Sequence, residues 1–343
     1  MSEDSLRIID NPNKRDWSEF VYKHPLGNIY QTPDMAEVYR RTKNYEPIVL
    51  AVVNETDEIV AIMLATIVKE AGRLIGPFTA RSIIPGGPLF VGSAGARAVS
   101  LLLRKYEEIV KKRVLYSEIR MLHEASSLDA VLKKHGFVFE DHFNALIDLS
   151  KSKEELWKQL KRDRQRGIRK AMNLGITIER CDNRKDLKVC YSLIKETYKR
   201  ARIPLADITL FEAAFDVLRP KDKALFLFAV YNGRCIATQV ALVYKDTIYA
   251  WYTGAIKEYL KYHPGDLLIW HLLEWGSENG FKTFDFGGGG TPTKNQNIRY
   301  YKSRFGAVFP NYGRYKKVYS QIKMKIAEKG FEIYRKSKYA SGK

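Results

Sequence analysis

The chain has 343 residues, of which 45% are hydrophobic and 12% aromatic, so it can build a large core and roughly two domains of ordinary size. Its formal net charge of +19 favours polyanionic partners such as RNA, phosphorylated lipid head groups or nucleotide carriers, or else serves solubility alone. Three cysteines without a CxxC pair, and histidines without HxxH or HExxH spacing, argue against a disulfide framework and a metal site.

The first residues and the apolar runs of the chain bear on its cellular location. The acidic, polar start, Met1-Ser2-Glu3-Asp4, is not that of a signal peptide. No apolar run reaches the roughly 18–20 residues that a membrane-spanning helix needs. We therefore expect a cytoplasmic protein without a transmembrane segment.

The first half of the chain predicts a helix followed by a β-hairpin. Residues 34–41 have a helical pattern with a start signal at Thr32-Pro33. Residues 48–53 and 59–68 are apolar and β-branched, and the polar turn between them predicts an antiparallel pair. The other predicted elements of this half are a helix at 96–113, a strand at 114–121, a short helix and a strand at 138–140, and residues 144–149 close this half.

The second half predicts helices around another antiparallel unit. A basic helix is expected over 153–173, with further helices over 187–201 and 209–217. Strands 224–230 and 236–243 are joined by Asn232-Gly233, a strong hairpin signal, and 247–253 is a third strand. A helix over 264–279 turns through Gly280-Phe281 into the strand 283–286, and the tail over 319–336 is a basic helix.

The two halves repeat one order of elements. In each, a hairpin precedes a longer helix, and a helix ends in a Gly-Phe turn into a strand, at Gly136-Phe137 and Gly280-Phe281. This order resembles an acetyltransferase-type (GNAT) module. A duplication predicts an α/β (α+β) fold of two tandem GNAT-like modules packed side by side. We expect the first module over residues 1–144, the second, with the active site, over 145–316, and a basic C-terminal helix over 317–343.

A glycine run at 287–290 follows the strand 283–286. Ligands bind at the carboxyl ends of strands in α/β sheets, and glycines let a substrate approach exposed amide groups. The run is not a Walker loop, because Lys and Ser/Thr do not follow at the required spacing. A flexible turn is the alternative interpretation. Asp285, just before the run, is either a buried structural acceptor or a polar site residue.

Residues 297–306 alternate cations with aromatic side chains. A cation beside an aromatic plane suits a phosphate-bearing, stackable ligand such as a nucleotide end, and a solvated amphipathic segment is the alternative. The cations are Arg299, Lys302 and Arg304, and the aromatic residues are Tyr300, Tyr301 and Phe305.

Residues 158–170 hold seven cations in thirteen positions. Some of them are expected to line a groove or to contact a phosphate backbone, unless the helix is only a solvated surface. Gly167 in the middle of this helix costs about 1 kcal/mol relative to alanine, which indicates a close packing contact.

Motifs from nearly the whole chain form one set. They are Tyr30-Gln31-Thr32-Pro33, Ala145-Leu146-Ile147-Asp148-Leu149-Ser150, Arg166-Gly167-Ile168-Arg169-Lys170-Ala171, Gly265-Asp266-Leu267-Leu268-Ile269-Trp270, Phe284-Asp285-Phe286-Gly287-Gly288 and Tyr301-Lys302-Ser303-Arg304-Phe305-Gly306. Each motif is weak alone, and the set resembles the Fem family of aminoacyltransferases and its acetyltransferase-like relatives.

The resemblance implies an activity. Fem proteins transfer an amino acid from aminoacyl-tRNA to the peptide of a cell-wall precursor. The chain would then have two GNAT modules, no coiled-coil arm, and a C-terminal helix that returns to the first module. It would need no cofactor beyond aminoacyl-tRNA as the donor. The acceptor would be a phosphorylated peptide or lipid-linked precursor, with a peripheral contact to the membrane surface.

The resemblance also implies roles for residues. The important lysine of the family matches Lys302, which would stabilise the oxyanion formed when an amine attacks an ester, and Asp285 is expected to be catalytic with it. The Thr-x-x-Arg pattern makes Arg200 a phosphate clamp. A precursor-binding lysine of relatives is replaced by Tyr39, with Arg40 beside it, so the acceptor stays open. The complete substrate-binding set is Arg200, Arg40, Tyr39, Gln239, Tyr252, Gly287, Gly288, Tyr301 and Arg304, and the RNA-binding set is Arg164, Arg166, Arg169, Lys170 and Arg299.

Three functions follow from these patterns. The favoured one is an aminoacyl-tRNA-dependent, non-ribosomal aminoacyltransferase. The second is an acyl-CoA-dependent N-acyltransferase that uses acetyl-CoA on a small-molecule or polysaccharide amine, and the third is an RNA-binding module. GNAT enzymes hold the CoA pyrophosphate on a (Gln/Arg)-x-x-Gly-x-(Gly/Ala) loop that opens a helix, and residues 165–169 match it poorly and on another helix. No GxSxG elbow occurs, so direct transfer from a bound donor is expected.

Overall fold

The computed structural model of the chain describes residues 6–69 and 80–326. Its strands are β1 (Arg7–Ile9), β2 (Tyr45–Val53), β3 (Ile59–Val68), β4 (Arg81–Pro85), β5 (Leu89–Phe90), β6 (Tyr116–Arg120), β7 (Val138–Glu140), β8 (Phe143–Asp148), β9 (Thr177–Arg180), β10 (Ala224–Tyr231), β11 (Arg234–Tyr244), β12 (Thr247–Ala255), β13 (Thr283–Gly290) and β14 (Arg314–Val318). Its helices are α1 (Lys14–Lys23), α2 (Pro33–Arg41), α3 (Gly95–Val110), α4 (Asp129–Lys134), α5 (Lys153–Gln159), α6 (Arg162–Asn173), α7 (Arg184–Ala201), α8 (Ile208–Val217), α9 (Pro264–Glu278) and α10 (Gln296–Ser303).

The chain divides into two compact units, which are residues 1–141 with 312–343, and residues 142–311. The sequence placed the boundaries at 144/145 and 316/317. The second boundary differs because β14 pairs with β6 and β7 of the first unit. A strand therefore returns the chain to the first unit, and residues 317–318, assigned to the C-terminal helix, belong to it. Residues 321–326 are helical, and the rest of the predicted tail helix lies outside the described residues.

The first unit is built on one mixed sheet with the strand order β1-β2-β3-β4-β6-β14-β7, and β5 pairs with β3. The predicted hairpin is confirmed, since β2 and β3 pair antiparallel. Only β4 and β6 run parallel among its described strands. Apolar residues of α3, such as Leu102 and Tyr106, pack with Leu50 and Met63 of the sheet in a buried core.

The second unit has a sheet with the order β8-β13-β12-β11-β10-β9. Helices α5, α6 and α9 share one core with alternate residues of β10, such as Leu225 and Leu227. Helices α7 and α8 cover the opposite face, where Phe215 of α8 contacts Phe226 of β10. The prediction of two α/β modules is confirmed by these two sheets with their helices.

The predicted basic helix over 153–173 is wrong in one respect, because the structure has two helices there. Ser152 and Glu155 form a capping box that starts α5. Leu160 and Lys161 are extended, which ends α5 and begins α6. Leu160 is 3% exposed, so its burial in the core of the second unit explains why the chain turns at this point.

A search of the helices within residues 6–69 and 80–326 finds none whose length and hydropathy would let it cross a lipid bilayer.

Candidate active site

The parallel strands β12 and β13 separate toward their carboxyl ends. They pair only from Thr247↔Thr283 to Tyr249↔Asp285. Beyond these residues, β12 pairs with β11 and β13 pairs with β8. Ligands of α/β sheets bind where neighbouring parallel strands end. The space between residues 250–255 of β12 and 286–290 of β13, called the opening below, is therefore the candidate active site.

Lys302 on α10 places its ammonium group at the opening. Its Nζ donates hydrogen bonds to the carbonyl oxygens of Phe286 and Gly288, the second at 3.0 Å. Burial lowers the pKa of Lys302 from 10.5 to about 8, although the charge of Asp285 acts in the opposite direction. The ammonium form still dominates at neutral pH. A cation that has lost part of its hydration is well suited to stabilise an oxyanion.

Asp285 lies behind Lys302 on β13 and is 5% exposed. Its Oδ1 accepts a hydrogen bond from the amide of Gly287 at 2.7 Å. Burial raises the pKa of Asp285 from 3.8 to about 6, against the effects of this hydrogen bond and of Lys302. Of the two roles that the sequence left open, these contacts favour the buried acceptor, which acts on the opening through the charge of Lys302.

The glycine run forms the bulged end of β13, so it is neither a loop nor a flexible turn. A Cβ at Gly288 would lie 2.8 Å from Cε1 of His142, and one at Gly290 would lie 2.6 Å from Cβ of Asn295. Gly287 has a φ of +79°, which favours glycine. Close packing therefore requires these glycines. Only Gly287 and Gly288 keep accessible surface, and these are the two expected to contact substrate.

Arg299 ties together the loop that follows β13. Its Nη1 donates to the carbonyl oxygens of Gly289 and Lys294, both at 2.9 Å, and its Nη2 donates to that of Pro292 at 2.9 Å. Arg299 was predicted to contact RNA. Because its guanidinium holds this loop together, the structure gives it a stabilising role instead.

A buried carboxylate, Asp266, lies in the first turn of α9 and contacts α10. Nη1 of Arg164 donates to both of its oxygens, at 2.9 and 2.8 Å. The hydroxyl of Tyr301 donates to Oδ1 at 3.0 Å, and Nδ1 of His263 lies 3.0 Å from Oδ2. Burial, followed by the charge of Asp266, raises the pKa of Tyr301. Sequence reasoning placed Asp266 in a family motif but missed these contacts.

Asp163 joins this group to Arg304. Nε of Arg304 donates to Oδ1 of Asp163 at 2.7 Å, and Nη2 of Arg164 lies 3.0 Å from its Oδ2. Burial alone would raise the pKa of Asp163, but hydrogen bonds from the two arginines lower it to about 2. Arg164 was predicted to bind RNA, and Arg304 was predicted to bind substrate. Both are paired with carboxylates of the protein itself, which gives each of them an internal role, and their contacts with RNA and substrate stay predictions.

Gly167 makes the close contact that its mid-helix position predicted. A Cβ at this residue would lie 2.7 Å from Nδ1 of His263. His263 has a left-handed backbone, with φ of +58°, directly before α9. The absent side chain therefore leaves room for the imidazole that contacts Asp266, and the prediction of a packing role for Gly167 is confirmed.

Arg200 lies at the other side of the opening, at the end of β12. The backbone of α7 approaches Gly254 so closely that a Cβ there would lie 2.4 Å from the amide nitrogen of Ile194. Thr197 accepts a hydrogen bond from the amide of Ala255 at 2.9 Å. Among the described residues, the contacts of the Arg200 guanidinium are long: 3.4 Å to a carboxylate oxygen of Glu196, 3.3 Å to the hydroxyl of Thr197 and 3.4 Å to the carbonyl oxygen of Ala255. These contacts are weak, so Arg200 can turn toward an anion.

Two predicted substrate contacts on β11 and β12 have different surroundings. Tyr252 is half-buried beside the rings of Tyr198 and Phe211, at 5.7 and 4.7 Å between ring centres. Gln239 is 3% exposed, and its amide donates to the carbonyl oxygen of Val240 at 2.9 Å. The structure therefore gives Gln239 a role inside the sheet, and the substrate contact of Tyr252 stays a prediction.

The predicted pair Tyr39 and Arg40 belongs to the first unit. Tyr39 is 6% exposed and packs on Tyr45, with 5.9 Å between the ring centres. Its burial in the core contradicts the prediction of a substrate contact, and burial also raises the pKa of its hydroxyl. Arg40 is exposed and forms an ion pair with Glu37 on the same helix.

The remaining cations of α6 lie on one side of that helix. Arg162, Arg166, Arg169 and Lys170 are exposed. Their spacing of four, seven and eight residues places them on one face, called the cationic face below. Arg164 points to the opposite, protein-facing side. The guanidinium of Arg169 lies 5.2 Å from the ring of Trp157, which helps to hold it in place.

Comparison with known proteins identifies relatives of the second unit and of the whole fold. Residues 158–303 match the family model of the acetyltransferase (GNAT) domain. Over 225 residues the chain is 28% identical to the lipid II:glycine glycyltransferase of Staphylococcus saprophyticus, which covers 61% of this chain and 52% of that protein. The chain therefore spans about half the length of this curated relative.

Two solved structures show the same fold. A crystal structure of FemX superposes with a TM-score of 0.69 at 16% identity and covers 96% of this chain and 100% of that chain. A tandem GNAT protein from the clavulanic acid biosynthesis pathway gives a TM-score of 0.59 at 12% identity and covers 92% and 99%. The comparisons confirm the tandem GNAT fold and the resemblance on which it was predicted, and they agree with the prediction of an acyltransferase.

Proposed function

From its confirmed likeness to the Fem family of GNAT acyltransferases, we propose that the chain transfers an aminoacyl group from aminoacyl-tRNA to an amine of a cell-wall peptide precursor in the cytoplasm. The observation that carries this proposal is the partly dehydrated ammonium of Lys302 at the opening between β12 and β13. The relative named lipid II:glycine glycyltransferase supports the choice of acceptor class.

The proposed reaction is a direct aminolysis. The acceptor amine attacks the ester carbonyl, the new C–N bond forms, and the bond to the ribose oxygen breaks. The proton of the amine passes to the departing ribose oxygen. An ammonium group has three N–H donors, of which Phe286 and Gly288 take two. The third donates to the oxyanion, so that catalysis consists of positioning and electrostatic stabilisation.

In this proposal the protein binds the donor tRNA through its phosphate backbone. The cationic face carries exposed positive charges along one side of α6, which is the pattern needed to contact successive phosphates. Such contacts carry no sequence information, and they are consistent with a donor whose reactive end enters a separate opening. We assign Arg166, Arg169 and Lys170 to this role, and leave Arg164 and Arg299 to the internal contacts described above.

The acceptor is proposed to meet Arg200 on the β12 side of the opening. A guanidinium can bind a phosphate of a nucleotide-linked or lipid-linked precursor through two parallel hydrogen bonds. A lipid-linked acceptor would bring the protein to the membrane surface, where its net charge of +19 favours anionic head groups.

Acyl-CoA as donor is the second candidate, and the start of α9 disfavours it. In GNAT enzymes a helix after the corresponding strand opens with the pyrophosphate loop. Here α9 opens with His263-Pro264-Gly265-Asp266, which lacks the loop pattern. Pro264 removes an amide donor, and the carboxylate of Asp266 lies in the first turn. Both features oppose binding of a pyrophosphate at this helix end.

The decisive experiment compares donors and variants in a single-turnover assay. Each donor carries a labelled acyl group. Wild-type protein should transfer this group to a peptidoglycan precursor from aminoacyl-tRNA and not from acetyl-CoA. Lys302→Ala should abolish the transfer, because the oxyanion loses its cation. Lys282→Ala is the matched control, since Lys282 is 71% exposed and lies before β13, at its amino end. Transfer from acetyl-CoA alone, or a Lys302→Ala rate within about threefold of wild type, contradicts the proposal.

A further inference from the structure

The position of Lys302 depends on a helix that cannot hold itself in place. Helix α10 has 8 residues and no fully buried side chain. Isolated helices shorter than about 12–15 residues are marginal in water. Contacts with other elements must therefore fix the position and the orientation of α10, and with them the ammonium of Lys302.

One such contact comes from the residue next to Lys302. The hydroxyl of Tyr301 donates to Asp266, at 3.0 Å, and Asp266 is 5% exposed. A carboxylate has about four acceptor positions. Arg164, His263 and Tyr301 together occupy them. A carboxylate held from several sides is a rigid support for the tyrosine that it binds.

A second contact fixes the end of α10. Arg304, which follows the helix, binds Asp163 through Nε at 2.7 Å. Its carbonyl oxygen accepts a hydrogen bond from the amide of Lys161 at 2.9 Å. Asp163 also pairs with Arg164, whose other partner is Asp266. The two contacts are thus linked, and they lie on either side of Lys302 in the sequence.

We propose that Asp266 and Tyr301 are positioning residues for the aminoacyl transfer proposed above, because they hold Lys302 against the carbonyl oxygens of Phe286 and Gly288. Neither residue touches the reacting atoms in this proposal. Their contribution is to keep the ammonium partly dehydrated and aimed into the opening. Two costly local conformations support this role, because both serve the contact between His263 and Asp266. Gly167 leaves room for the imidazole of His263, and His263 adopts a left-handed backbone beside Asp266.

The first test removes a single hydroxyl. In Tyr301→Phe the ring can keep its packing on Phe286 and Phe305, which lie 6.2 and 5.3 Å from it between ring centres. The readout is the titration of Lys302, followed by NMR of the protein with 13C-labelled lysine and assigned with Lys302→Arg. Asp285 on β13 is the charged group that acts on Lys302 and is unchanged. We expect Lys302 to titrate at higher pH in Tyr301→Phe, because a displaced ammonium regains water.

The second readout is kinetic. We expect kcat of Tyr301→Phe to fall about tenfold, the effect of losing a hydrogen bond to a charged group, with KM of both substrates within about twofold. Asp266→Asn should lower kcat further, and if this variant does not fold, the tyrosine variant alone decides. Tyr231→Phe is the control, since it removes a hydroxyl from a half-buried tyrosine of β10 that packs on the rings of Tyr259 and Tyr262.

The NMR titration needs no substrate, so it separates this inference from the proposed reaction. An unchanged titration of Lys302 in Tyr301→Phe overturns the positioning role, whatever the protein catalyses. A shifted titration in a protein that does not transfer from aminoacyl-tRNA supports the positioning role and contradicts only the proposed function. A shifted titration with unchanged kcat shows that Tyr301 does not serve the reaction and also overturns the inference.

Discussion

Replacing Asp285 by asparagine removes a buried charge from the candidate active site and should make the protein more stable at neutral pH. The pKa of Asp285 is raised by burial from 3.8 to about 6. A carboxyl group whose pKa is higher in the folded state destabilises it when ionised. The ionised carboxylate therefore lowers the free energy of unfolding. This effect is nearly absent below pH 3.8, grows between pH 3.8 and about 6, and is complete above that range.

The magnitude follows from the two pKa values. The difference between 3.8 and about 6 corresponds to about 3 kcal/mol at 1.36 kcal/mol per pH unit. The amide oxygen of asparagine can still accept the hydrogen bond from Gly287. The value of about 6 already includes the attraction of Lys302, so the loss of this charge pair is not subtracted again. We therefore expect Asp285→Asn to raise the free energy of unfolding at pH 7.5 by about 1–3 kcal/mol.

Urea unfolding of both proteins at pH 4 and pH 7.5 measures this difference. The stabilisation should appear at pH 7.5 and nearly vanish at pH 4. The variant should also transfer more slowly above neutral pH. The alkaline limb of the pH–rate profile follows the pKa of Lys302, which falls below about 8 once Asp285 no longer raises it. A variant that is less stable than wild type at pH 7.5, or an alkaline limb at higher pH, would refute the reasoning.

Further variants test the packing, donor and acceptor contacts. Gly167→Ala should lower the free energy of unfolding by about 1 kcal/mol or more, because the clash with His263 outweighs the better helix propensity of alanine; urea unfolding measures it. Replacing Arg166, Arg169 and Lys170 together by alanine should weaken the salt dependence of tRNA binding. The slope of log Kd against log salt concentration should fall by about 2–3, since each phosphate contact releases about one counterion. Arg200→Lys should raise the acceptor KM several-fold, with donor KM unchanged, because a point charge cannot bind a phosphate through two parallel hydrogen bonds.

Each of these results has a contrary outcome. A Gly167→Ala protein as stable as wild type would show that His263 moves aside without cost. Replacement of Lys185, Lys188 and Lys195, which are exposed on α7, is the control for the cationic face, and an equal loss of slope there would indicate unspecific attraction. A donor KM that rises together with the acceptor KM in Arg200→Lys would remove Arg200 from the acceptor site.

Local patterns in the sequence were sufficient for most elements of the fold. The turn at Asn232-Gly233, where both residues have positive φ, joins β10 and β11 as predicted. The apolar runs of β2 and β3 form the predicted hairpin, and Thr32 caps α2. These signals act between residues that are close in the chain, so they can be recognised without the tertiary structure. Gly167 is a further case, because a glycine inside a helix is costly unless something packs against it.

The contacts that decide the candidate site depend on residues far apart in the chain. Arg164 and Asp266 are separated by 102 positions, and Arg304 and Asp163 by 141. From the sequence, Arg164 looked like its neighbours Arg166 and Arg169, and only the buried side of α6 distinguishes it. Strand β14 enters the first sheet for the same reason, since β6 and β7 offer pairing edges that no local pattern reveals. The sequence determined which elements form and suggested Lys302. The tertiary structure decided which charges neutralise one another inside the protein and which remain for a ligand, because pairing and burial depend on distances in space.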